Sequence, residues 1–278
     1  RTDHLRRCQQ ENFVAGLDDG VALRRQRLAA TEDGRNARFD ARGKMVAHCV
    51  DGLADEQLDD FFDYLSLQLS PDPKAVLAAA GAWVSAGDLD AAALEPIADV
   101  AGETRSVDLS TAEGALAWAD ALGEADGLLH LVGGWRGGKV IEEADPADLQ
   151  LLEMLLFHTV VNATRAFAPL LKAAGEHGRF ALVSSKVAQR PTAGNAAYAA
   201  TKAAAEAWTL TLAAELAESG GTANVLVVNA IVTPQMREES PEKAFATFTD
   251  VGEIADGLAY LCSDAARKMN GERLALYG

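Results

Sequence analysis

The chain has 278 residues, 49% apolar and only 6% aromatic, which is enough to bury a substantial core and rules out disorder throughout. Its formal charge of −16 is uneven, because residues 1–50 carry ten Lys+Arg against seven Asp+Glu and the remainder fifteen against thirty-four. So acidic a body repels phosphate backbones and anionic lipid, which argues against nucleic acid or a membrane as partner. The basic start reads as a solvated helical face. Helical periodicity runs through "DHLRRCQQENFV", "GVALRRQRLAA" and "LADEQLDDFFDYLSLQL", with one strand-like run, "KMVAHCV", among them. "SPDP" at 70–73 marks a boundary.

From about residue 75 the elements alternate. "KAVLAAAG" predicts a helix, "AWVSAG" a strand, "DAAALEPIADVAG" a helix, "TRSVDL" a strand, "AEGALAWADALG" a helix and "GLLHLVGG" a strand. A long helix follows from about Pro146 to Ala174, then the strand "RFALVSS", a helix from about Ala196 to Ser219 and the strand "ANVLVVNA". Strands that are unbroken apolar runs, taking turns with helices, predict an α/β fold: a Rossmann-type, doubly wound parallel sheet with helices on both faces. The division expected is an atypical, largely helical segment over 1–74, with a degenerate first strand as one reading of it, and a Rossmann-type domain over 75–278.

Cys8, Cys49 and Cys262 are few, odd in number and far apart, without a CxxC or Cys/His ligand spacing. A reduced, cytoplasmic protein is expected. The longest apolar runs are strand-sized, and the amino terminus shows no secretory h-region. His4, His48, His130, His158 and His177 are scattered, so no metal site is expected, and His130 reads as a strand-core residue. Trp83, Trp118, Trp135 and Trp208 are too dispersed for a stacking platform. Trp135 alone is placed to border a substrate.

Tyr198 and Lys202 stand four apart in the alanine-rich "GNAAYAATKAAAEAW". At that spacing both side chains lie on one helix face and serve one small volume. An adjacent cation favours phenolate over phenol, and so brings tyrosine towards acid/base work at neutral pH. Taken alone, the pair fits a packed aromatic beside a solvated charge equally well. Ser185 changes the balance, because it ends the strand "RFALVSS" at the carboxyl edge of the sheet, where open α/β folds bind ligands. Ser184 beside it should point the opposite way.

A serine, a tyrosine thirteen residues on and a lysine four beyond resemble the pattern of the short-chain dehydrogenase/reductase family, over roughly Lys74 to the end. The resemblance implies Ser185, Tyr198 and Lys202 as catalytic residues, with Tyr198 and Lys202 also touching the cofactor. It places Asp88 where an acid meets the adenosine ribose, which favours NAD over NADP as cofactor. A capping role for Asp88 is the local alternative. Asp108 falls near the adenine, although helix N-capping explains it as well. Gly133 and Gly134, in "LLHLVGGWRGG", would let backbone approach the cofactor, and "GGWRGG" is similar to the dihydropteridine reductase branch. "ANVLVVNAIVTP" sets Ile231 and Thr233 at the nicotinamide carboxamide, with Val228-Asn229 in place of the usual Pro-Gly.

Two features depart from the family pattern. The glycine-rich phosphate turn has no good counterpart: "AGLDDGVA" offers Gly16 and Gly20 but Ala22, with Asp18 and Asp19 of the wrong sign, while "KMVAHCVDG" offers Gly52 alone. Leu156 stands where the family often has an asparagine that supports a proton relay, and Asn162 lies on a different helix face. The expected function is therefore an NAD(P)-dependent oxidoreductase moving hydride between nicotinamide and a small carbonyl, alcohol or imine-like substrate. A noncatalytic binding or assembly relative with a degenerate dinucleotide site is the alternative. The family's habit of pairing its long helices implies a homodimer or homotetramer.

Overall fold

The computed structural model describes residues 44–48, 82–98 and 101–277. The helical periodicities before Lys44, the "SPDP" boundary, the candidate phosphate turns and the helix expected at "KAVLAAAG" lie outside the described residues.

Seven strands form one parallel sheet in the order β3-β2-β1-β4-β5-β6-β9. They are β1 (Lys44–His48), β2 (Trp83–Asp88), β3 (Glu103–Ser106), β4 (Gly127–His130), β5 (Arg179–Ser185), β6 (Thr222–Val228) and β9 (Arg273–Ala275). The "KMVAH" run of the leading segment is thus β1, seated between β2 and β4 with His48 level with Gly87 and with His130. Strand order reverses at β1, so the chain leaves β1 and β4 in opposite directions and opens a crevice at their carboxyl ends. A separate parallel pair, β7 (Ala230–Val232) and β8 (Phe248–Asp250), sits beyond β6.

Both faces of the sheet are covered, which is why its inner strands β4, β5 and β6 read as continuous apolar runs, whereas the edge strands β3 and β9 are partly exposed. On one face Leu128, Phe180, Leu182 and Ala223 pack against helices α1 (Ala112–Leu122), α2 (Pro146–Ala173) and α3 (Ala196–Leu216), through Trp118, Phe167, Leu171 and Leu212. On the other face Leu129, Ala181, Val183 and Leu226 meet Ile254, Leu258 and Leu261 of α5 (Val251–Cys262). Trp118 anchors the first core: its ring meets Phe167 edge-on at 5.3 Å and its Nε1 donates to Ser85 Oγ at 3.0 Å. Small residues let α3 lie close to the sheet, with Ala205 and Ala213 buried against it.

Local chemistry sets the helix ends. Thr111 Oγ1 accepts from Gly114 N to cap α1, Asp145 caps α2 ahead of Pro146, and Asp250 with Glu253 forms a capping box on α5. The helix expected over "DAAALEPIADVAG" is a 3-10 turn, Ala92–Ile97, in its described part. By length and mean composition α2 is apolar enough to cross a bilayer, although its unbroken apolar runs are short. Half of that stretch is buried inside the fold, so packing accounts for its apolarity. Midway it opens into a π turn, Met154–His158, that holds Leu156 in the interior. His130 is fully buried in β4, and no metal-ligating cluster occurs among the described residues.

Candidate active site

The strand β5 outruns its neighbour: Leu182 is level with His130, so Ser185 projects three residues past the end of β4 into the crevice. Helix α3 then returns across this tip. Tyr198, Lys202 and Glu206 follow at one-turn intervals along one face of it, and each meets a different residue of β5. Tyr198 shares a side-chain hydrogen bond with Ser185, Lys202 Nζ donates to the Val183 carbonyl at 3.0 Å, and Ser184 Oγ donates to Glu206 Oε1 at 2.7 Å. Ser184 and Ser185 do point apart, as strand alternation requires. Ser184 faces the α3 layer with Phe180 and Leu182, whereas Ser185 reaches the phenol only because the strand ends there. The structure thus brings together the serine, tyrosine and lysine predicted from spacing.

Their electrostatics differ from the expectation. Lys202 was expected to acidify Tyr198, but burial pushes the phenol up to about 12, and the hydrogen bond with Ser185 only partly offsets that. The reason is direction: the ammonium is turned to the Val183 carbonyl and towards Glu206. Burial lowers Lys202 to about 8, against an opposing pull from the Glu206 charge. At neutral pH the site therefore holds a neutral phenol, ready to give a proton, one helical turn from a buried cation.

The remaining predicted positions divide. Asp88 ends β2 at the carboxyl edge, 2% exposed, and its Oδ1 accepts from the Asp90 backbone, so it closes a local turn rather than capping a helix. Burial first, and the neighbouring Asp90 charge after it, lift its carboxyl to about 7. Asp108 is no N-cap either: Thr111 caps α1, while Asp108 Oδ1 accepts from the backbone and hydroxyl of Ser110. Gly133 and Gly134 follow β4 at the crevice. The space kept free at Gly134 belongs to α2, however, since a Cβ there would stand 2.3 Å from Leu155 Cδ2. Ile231 is buried in β7, level with Thr249. Thr233 is buried and its Oγ1 accepts from Met236 N, which caps the short helix α4 (Pro234–Glu239). Asn162 Nδ2 donates to the Leu109 carbonyl, away from Lys202, and so does not stand in for the asparagine that Leu156 replaces.

Trp135, in the loop after β4, donates from Nε1 to Asn195 Oδ1 at 2.8 Å, and Gly138 N donates to Gly194 O at 2.7 Å. These bonds seat the "GGWRGG" loop on the approach to Tyr198. Of the other tryptophans, Trp118 lies in the core, Trp208 packs against Phe157 with its Nε1 on Thr164, and Trp83 is exposed.

A model of the family described as enoyl-(acyl carrier protein) reductase matches residues 75–278. The chain belongs to the short-chain dehydrogenase/reductase family. It is 29% identical over 164 residues to the 3-oxoacyl-(acyl-carrier-protein) reductase FabG of Escherichia coli, covering 56% of this chain and 66% of FabG. It is 31% identical over 127 residues to an uncharacterized NAD-dependent oxidoreductase of Mycobacterium tuberculosis, covering 40% and 46% of the two chains. Both matches span less than two thirds of the relative's own length. A solved short chain dehydrogenase/reductase family protein superposes with a TM-score of 0.66 at 25% identity, over 83% of this chain and 94% of that one.

Within this short-chain dehydrogenase/reductase two site residues escaped sequence reasoning, Glu206 and Arg273. Arg273 Nε donates to Glu206 Oε2 at 2.6 Å across 67 positions of sequence. The i+4 step from Lys202 to Glu206 was a usable signal for the first. For Arg273 no local signal exists.

Proposed function

We propose that the protein is a nicotinamide-dependent oxidoreductase acting on a small carbonyl, alcohol or imine-like substrate. The observation that carries this reading is the convergence of Ser185, Tyr198 and Lys202 on the tip of β5, at the reversal of strand order. The residues fit such a cofactor: a buried carboxyl at the end of β2 suits ribose hydroxyls, and a buried ammonium suits a second ribose. Asp88 would hold the adenosine ribose, and its charge would disfavour a 2′-phosphate, so NAD is preferred to NADP. The NAD-dependent relative in Mycobacterium tuberculosis supports the same preference. Bound there, the nicotinamide supplies or takes the hydride.

The chain's own residues handle the proton and the geometry. Ser185 orients the substrate oxygen, and Tyr198, protonated at neutral pH, gives its proton to that oxygen as the carbonyl is reduced. Lys202, a buried cation one helical turn along α3, would hold the nicotinamide ribose beside the phenol. Trp135, fixed by Asn195, borders the substrate on the β4 side. Exposed Leu149, Met154 and Trp208 on α2 and α3 support assembly as a homodimer or homotetramer, and a monomer in light scattering would overturn that.

NADH titration followed by fluorescence tests the reading. Saturable binding, retained in Tyr198→Phe while turnover of a screened carbonyl substrate is lost, is the expected result. Absence of saturable binding would favour a noncatalytic relative instead.

A further inference from the structure

Asp88 and Glu206 are the two buried carboxylates among the described residues. Asp88 has a place in the cofactor reading, whereas Glu206 touches neither proposed substrate nor proposed cofactor. Three side chains nonetheless converge on it. Ser184 Oγ donates to Oε1 at 2.7 Å, Arg273 Nε donates to Oε2 at 2.6 Å and Gln189 Nε2 reaches Oε2 at 3.4 Å. This carboxylate is 2% exposed, and donors hold it at both oxygens. One turn back along α3 stands Lys202, equally buried, with the Val183 carbonyl as its hydrogen-bond acceptor.

Few titratable groups face Lys202, and from β4 the fully buried His130, level with Leu182, lies on the same face of the sheet. On α3 itself there are Tyr198 and Glu206. The carboxyl half of β5 and all of β6 carry no ionisable side chain, and in the turn after β5 Lys186 lies over the Tyr277 ring, 4.9 Å from its centroid. From β9 comes Arg273, spent on Glu206. On α2 the ionisable side chains of the π turn region, Glu153 and His158, are exposed, and Leu156 fills the interior with hydrocarbon. Leu156 offers no polar group to support the ammonium from that side.

We infer that Glu206 is a positioning residue: a buried carboxylate, clamped by Arg273, Ser184 and Gln189, that keeps the Lys202 ammonium charged beneath Tyr198. Arg273 has a double role, since it holds the carboxylate in place and also draws part of its field away from Lys202. The direction of the Lys202 perturbation agrees, because the Glu206 charge opposes the effect of burial.

The test uses the full chain with carbon-13-labelled lysine, and NMR follows the Lys202 side-chain signal across pH, assigned by its absence in Lys202→Met. Glu206→Gln should lower the Lys202 midpoint by about 1 pH unit, as expected for loss of a close opposite charge. Arg273→Met should move it the other way, because Glu206 is then left to Lys202 alone. A purely structural role would change stability in both variants without opposite shifts. Unmoved midpoints, or shifts of the same sign, would overturn the assignment. The consequence for cofactor rests on the oxidoreductase reading, so NADH affinity is measured across pH in parallel. Opposite Lys202 shifts with no NADH binding in any variant would uphold the role of Glu206 and overturn the oxidoreductase reading instead.

Discussion

Asp88→Asn gives the sharpest test of the electrostatics. The carboxyl is 2% exposed, without a cation among its perturbing neighbours, and rises from 3.8 to about 7. Between those values the folded chain holds a proton that the unfolded chain has released, so this group makes stability fall as pH rises. At about 1.4 kcal/mol per unit, a difference of about 3 units opposes folding by about 4 kcal/mol above pH 7. Between about pH 5.5 and pH 8.5 the same linkage accounts for about 2 kcal/mol. Asparagine keeps the Oδ1 that accepts from the Asp90 backbone and removes only the ionisation. In urea denaturation the variant should therefore be more stable than the parent at the higher pH, by about 2 kcal/mol more than at the lower. A difference that is the same at both pH values would refute the reasoning. A carboxylate kept at such a cost is the kind of residue selected for binding rather than stability, so the variant should also bind NADH more weakly.

Other outcomes follow from the packing and the site. Tyr198→Phe removes the proton donor and should lower turnover by at least about a hundredfold, with NADH affinity unchanged within about threefold in fluorescence titration. Gly134→Ala places a Cβ against Leu155 Cδ2 and should destabilise by about 1–3 kcal/mol in thermal melts. Combined with Leu155→Ala, the two losses should fall short of additive, and full additivity would remove Leu155 as the cause. Trp118→Ala forfeits the contact with Phe167 and the hydrogen bond to Ser85, and should cost about 3–5 kcal/mol by urea denaturation.

The sequence by itself determined whatever depends on neighbouring residues. Apolar runs that alternate with helical periods reported a parallel sheet covered on both faces, and the residues of β2, β4, β5 and β6 were legible because each of these strands carries its own burial in its letters. The four-residue step from Tyr198 to Lys202 fixed a shared helix face, and the end of "RFALVSS" put Ser185 at the strand tip. Only the tertiary structure decided what depends on distant partners. A five-residue strand, Lys44–His48, became the centre of the sheet, because parallel strands pair across long stretches of chain that no local pattern records. Gly134 faces Leu155, Thr233 caps a helix and Arg273 grips Glu206 for the same reason. The phenol of Tyr198 was raised rather than lowered because charge state follows burial and the aim of an ammonium, and both are properties of the packed volume rather than of spacing along a helix.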